Sequence, residues 1–105
     1  MAKLKATTYS DLVALHEKKG DWTLKIGNNT TSYFDRDNGM ITISLHGHNI
    51  VKLTEDSTKF SLAGWGTSTT RDRVNQFIGR NSVHQRNNIQ HLNGLEIDEC
   101  SWYYV

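Results

Sequence analysis

From Trp22 to Ala63 the chain alternates apolar and polar residues with a period of two, and short clusters of Gly, Asn, Asp and Ser break the alternation at close intervals. This pattern constrains the fold more than any other feature. Period two places successive side chains on opposite faces of a strand. Connections this short force neighbouring strands antiparallel, because a parallel pair needs a crossover of roughly a dozen residues or more. Trp22, Leu24 and Ile26 read as one half-buried strand, followed by a Gly27-Asn28-Asn29 turn and a strand from Thr30 to Asp35. Asp37-Asn38-Gly39 marks a hairpin, since Asn and Gly tolerate positive φ. Ile41, Ile43 and Leu45 then point one way, and His46-Gly47-His48-Asn49 turns the chain into strands at Ile50–Thr54 and Lys59–Ala63. One face of this meander is apolar and the other wet.

Two segments carry the helical period instead. Thr8 can cap a helix over about residues 9–19, with Asp11 at its positive end, Leu12, Leu15 and His16 on one face, and Gly20 as its stop. Thr69 or Thr70 can cap a second, over about 70–79, with Val74, Phe77 and Ile78 buried, Arg71, Arg73, Gln76 and Arg80 facing away, and Gly79 at its end. Beyond it the alternation weakens, although Leu95, Ile97 and Trp102-Tyr103-Tyr104-Val105 are apolar enough to add strands or cover an edge. The expected fold is α+β: an antiparallel meander of about 5–7 strands with the second helix, and room for the first, across its apolar face.

At 105 residues the chain suits one domain spanning 1–105. A net charge of +1 gives no overall attraction to nucleic acid or anionic membranes, so such binding needs a local patch. Cys100 is the only cysteine, which excludes an intrachain disulfide and fits a reducing compartment. No apolar run suits a signal peptide or a membrane span.

Lys25-Ile26-Gly27-Asn28-Asn29-Thr30, Ser44-Leu45-His46-Gly47-His48-Asn49-Ile50-Val51 and Gly64-Trp65-Gly66-Thr67-Ser68-Thr69-Thr70-Arg71-Asp72-Arg73-Val74-Asn75 follow one another in order. Together they resemble a widespread family of small tailed-bacteriophage proteins without an established biochemical role. The likeness covers about residues 25–78, leaving the N-terminal helix and residues 80–105 as additions. It implies origin and architecture: an accessory protein acting in the cytoplasm of an infected bacterium, often by binding a host protein.

The Gly-Trp-Gly segment admits two readings. As a joint, Gly64 and Gly66 let the backbone turn, Trp65 fills the gap between sheet and helix, and one Thr caps. As an anion site, the helix N-terminus offers free N–H groups and a positive dipole end. Trp65 belongs to this site too; Thr67, Ser68, Thr69 and Thr70 add hydroxyls, and Arg71 and Arg73 add charge. Asn75, Arg80 and Arg86 extend the patch toward a nucleotide or a nucleic-acid backbone. The Gly-Lys phosphate loop is missing, so hydrolysis is not implied. No catalytic spacing appears, and the expectation is a non-enzymatic protein with no cofactor. His46-x-His48 alone is too few ligands for a metal ion. The alternative is a protein-binding surface made of Tyr33, Trp102, Tyr103 and Tyr104 with the acidic Glu96 and Asp98, aimed at a host factor. The acidic Glu96, Asp98 and Glu99 could also offset the Arg patch within the fold.

Overall fold

The structure is a computed structural model that describes residues 3–79 and 82–105. Its elements follow the alternation closely. Helix α1 (Tyr9–Lys19) is capped by Thr8, whose hydroxyl accepts from the Asp11 N–H, and ends at left-handed Gly20, whose N–H donates to the His16 carbonyl. Strands β1 (Thr23–Gly27), β2 (Thr30–Asp35), β3 (Met40–Leu45), β4 (His48–Leu53) and β5 (Thr58–Phe60) form the meander. Helix α2 (Ser68–Ile78) follows, then β6 (Val83–Arg86), β7 (Ile89–Leu92), β8 (Leu95–Glu96) and β9 (Tyr103–Tyr104). A six-stranded sheet runs β1-β2-β3-β4-β5-β9 and a three-stranded one β6-β7-β8, with every pairing antiparallel, which makes the fold α+β. The C-terminal segment thus does both things its apolar residues allow: it adds strands, and β9 covers the β5 edge.

The core lies between the large sheet and the helices. Ile41, Ile43 and Leu45 of β3 are buried, as are Leu12 of α1, Val74 of α2 and Phe60 of β5. Register slips between Ile43 and Ser44, so Ile50 is an extra residue in β4. Such a bulge lets two consecutive side chains, Ile50 and Val51, both face the core.

The inner face of β2 is polar where the helices cross it. Ser32 meets His16 of α1 at 2.8 Å from Nε2, while His16 Nδ1 lies 2.9 Å from the Asp21 carbonyl. Thr30 accepts from Arg73 Nε of α2 at 2.9 Å. Each helix is therefore pinned to the same strand by a buried polar pair, as burial of such groups requires.

Two expectations fail here. Trp22 is 54% exposed and precedes β1 instead of packing within it. Arg73 does not face away: it is only 4% exposed. Its position explains this, since Thr70, Arg73, Val74 and Phe77 share one helical face.

Candidate ligand-binding pocket

The pocket is built by two turns. At the end of the large sheet's fifth strand the chain reverses through Ala63 and Gly64, both at positive φ (54° and 80°). Ala63 N–H donates to Ser61 Oγ, Gly64 N–H to the Glu99 carbonyl and Trp65 N–H to the Leu62 carbonyl. Gly66 is required for space rather than for φ: a Cβ there would lie 2.8 Å from Gln90 Nε2 and 2.9 Å from the Glu99 carboxylate. Thr67, not Thr69 or Thr70, is the cap of α2; its hydroxyl accepts from the Thr70 N–H and pairs with Thr70 Oγ1 at 3.0 Å. The helix accordingly starts at Ser68, two residues before the expected boundary.

The second turn joins β3 to β4 through His46 and Gly47, at φ 52° and 81°. Positive φ at both central residues matches the twist of a tight hairpin. His48 and Asn49, expected in the turn, belong to β4. The turn leans His48 on Trp65, ring centroids 5.6 Å apart and inclined by 42°. Trp65 therefore does not fill the gap between sheet and helix. It is 54% exposed and forms the rim of a cavity of about 380 Å³. Leu45, His46, His48, Ile50, Leu62, Trp65, Thr67, Thr69 and Thr70 line it. Two of the three sequence motifs thus converge on one concave site, although the chain from Lys52 to Ala63 separates them.

The arginines lie elsewhere. Arg71 Nη1 donates to the Gly66 carbonyl at 2.8 Å, to Gln85 Oε1 at 3.1 Å and to Gln90 Oε1 at 3.2 Å, tying the start of α2 to the small sheet. Arg73, buried, binds Thr30 and the Asn28 carbonyl and lies 3.6 Å from Asp72. Asn75 brackets Val83, accepting its N–H at 2.8 Å and donating to its carbonyl at 2.9 Å. Arg86 is exposed at the end of β6. Arg80 lies outside the described residues. Of the residues read as anion-binding, Trp65, Thr67, Thr69 and Thr70 come together in the pocket; Arg71, Arg73 and Asn75 instead hold the frame around it. His46, His48, Leu45, Ile50 and Leu62 complete the site. The histidines are visible in the sequence only as a pair too small for a metal, and among the described residues no three of His, Cys, Asp and Glu are grouped as a metal ion needs.

The family model for the Kyanoviridae Gp96 protein matches residues 4–103. The chain belongs to this phage protein family. The match extends beyond residues 25–78 and takes in α1, the small sheet and the C-terminal segment as far as Tyr103. Neither a curated protein nor a solved structure matches the chain. As a phage protein, this Gp96 family member is made in an infected host, and among the described residues no helix is long and apolar enough to cross a membrane.

The second set of residues divides. In this Gp96 family member Tyr33, Trp102 and Tyr104 are exposed. Tyr103 instead turns inward against Phe60, with centroids 5.8 Å apart, and its hydroxyl accepts from the Asp98 N–H. The Asp98 carboxylate accepts from the Cys100 N–H at 2.6 Å, so it shapes a turn. Glu96 is exposed in β8, part of the small sheet. Glu99 accepts from the Gly66 N–H at 3.1 Å and so belongs to the joint beside the pocket.

Proposed function

We propose that this protein is a non-enzymatic phage accessory protein that binds a small phosphorylated ligand bearing a planar ring, a nucleotide being the simplest chemistry of that kind. One observation carries the reading: the 380 Å³ cavity joins ring-bearing walls, Trp65, His46 and His48, to the N-terminal turn of α2. Its volume falls in the range of small-molecule sites, about 300–1,000 Å³. A ring entering it meets the Trp65 and His48 faces and the apolar Leu45, Ile50 and Leu62. An anionic group at the other end meets the Ser68 and Thr69 N–H groups, the first-turn amides that the Thr67 cap does not take, and the Thr69 hydroxyl.

The internal engagement of Arg71 and Arg73 favours one compact ligand over a long nucleic-acid backbone at this site. The test is calorimetric titration with nucleoside mono-, di- and triphosphates, free phosphate and the parent nucleosides. Saturable binding of a nucleotide, weaker for the nucleoside and lost in Trp65→Ala, is expected. Equal affinity for nucleoside and nucleotide removes the anion half of the reading; no binding of any of them removes it whole.

A further inference from the structure

The strand pairings carry one row of residues across the full width of the large sheet. Thr23 is opposite Tyr33, Tyr33 opposite Thr42, Thr42 opposite Lys52, Lys52 opposite Lys59, and Lys59 opposite Tyr104. Residues directly opposed in register share a face. This face points away from the core, because the alternate residues Ile41, Leu53 and Phe60 are the buried ones. None of the row's six residues is buried. Tyr33 is 42% exposed and Tyr104 70%. Trp102, 37% exposed, lies over the same strands, with Lys52 Nζ 4.8 Å and Lys59 Nζ 5.9 Å from its ring centre. Lys59 Nζ is also 5.4 Å from the Tyr104 ring.

Charge on this face is one-sided. Lys25 and Asp35 lie on the same side of the pleat as Tyr33, so three lysines, Lys25, Lys52 and Lys59, face one carboxylate. That carboxylate already accepts from the Asn38 amide at 2.7 Å. Like charges directly opposite one another destabilise a sheet, and Lys52 and Lys59 are so placed. The Trp102 ring face eases their repulsion without neutralising either. Two unneutralised ammoniums held against exposed rings, on a face left open by both helices, fit a polyanion whose repeating unit also carries a planar group.

We propose that this face binds single-stranded nucleic acid, independently of the pocket. Bases stack on Tyr33, Trp102 and Tyr104, and Lys25, Lys52 and Lys59 meet phosphates. Stacking on aromatic side chains beside a basic surface is how single strands are held without reading their sequence. From β2 to β9 the row crosses four strand spacings, about 19 Å at roughly 4.8 Å each, which is room for a few nucleotides. A duplex hides its base faces and cannot use the rings.

Fluorescence polarisation of labelled 12-nucleotide oligo-dT and oligo-U, with a 12-base-pair duplex beside them, tests this at about 50 and 200 mM salt. Single strands should bind in preference to the duplex. If about three phosphates are neutralised, affinity should fall roughly twentyfold between the two salt concentrations. Tyr104→Ala and Trp102→Ala should each weaken binding about tenfold or more. Tyr104 sits at an exposed strand end, so its variant retains the fold, which a circular dichroism melt verifies. Lys59→Gln should reduce the salt dependence, and Trp65→Ala should leave oligonucleotide binding unchanged. Absence of binding at the lower salt overturns the proposal. So does equal binding of duplex and single strand, or binding indifferent to Tyr104 and Trp102. Capture of an acidic peptide with no oligonucleotide binding assigns the face to a protein partner and overturns it equally.

Discussion

Replacing Arg73 with Ala separates two roles for an arginine near a helix start: an available cation, or a strut. The structure makes it a strut. Its Nε donates at 2.9 Å to Thr30 Oγ1 inside the core. A buried hydrogen bond to a charged group contributes about 1.5–3 kcal/mol. The aliphatic stem adds about 0.8 kcal/mol for each buried methylene, about 1.6 kcal/mol for the two that Ala lacks. The contact with the Asn28 carbonyl is long, 3.4 Å, and adds little. The Asp72 pair adds little too, since Asp72 is 38% exposed and solvent screens it. Against these stands the desolvation of a guanidinium, which the truncation relieves. Thr30 keeps its own bond to the Asn28 carbonyl and is not orphaned. The balance is a loss of about 2–4 kcal/mol, from summing those contributions and deducting part of the first. At this chain length 1 kcal/mol shifts a melting temperature by about 4 °C, so Arg73→Ala should melt about 8–16 °C lower by circular dichroism. Arg73→Met, which keeps the stem, should lose roughly half as much. If Arg73→Ala melts within about 2 °C of the parent protein, the guanidinium contributes nothing to the fold and the strut account fails.

Other residues give sharper contrasts. Asn75→Ala removes both bonds to Val83 and should cost about 1–3 kcal/mol in a urea titration; an unchanged midpoint would show that α2 does not need this bracket to hold the small sheet. Gly66→Ala drives a methyl against the ends of Gln90 and Glu99. Because those ends are flexible, the cost should be about 1–2 kcal/mol, with loss of amide-exchange protection at Gly66 itself; full protection would refute the crowding. Trp65→Ala, by contrast, should change stability by less than about 1 kcal/mol, since the ring is half exposed, yet abolish ligand binding at the pocket.

The sequence reveals those parts of the fold whose signals are local. Thr8, Asp11 and Gly20 bound α1, and the spacing of Ile41, Ile43 and Leu45 sets β3, because caps and strict alternation act through neighbouring residues. Trp22 and Trp65 mislead because a large apolar ring reads as buried, while burial depends on what lies across the fold. Arg73 misleads in the opposite sense: its charge hides a core position that the helical spacing with Thr70 and Phe77 does mark. Gln90, only 1% exposed, weakens the alternation of β7 although, with Arg71, it holds Gln85 and Gly66 together. The pocket was half legible. Its Trp and Thr residues lie in one run and can be read together, but the His46–Gly47 turn joins them only through the β3–β4 hairpin, a contact made by the tertiary fold.

Ligand binding in the pocket is tested most directly by a proton–nitrogen correlation spectrum of the protein titrated with a nucleoside triphosphate. Binding there should give saturable shifts at the Trp65 indole N–H, at the backbone of His46, His48, Thr67 and Thr69, and at the first-turn amides of α2, with Trp22 and Trp102 unmoved. Shifts confined to the outer face around Trp102, or none at saturating ligand, would contradict it.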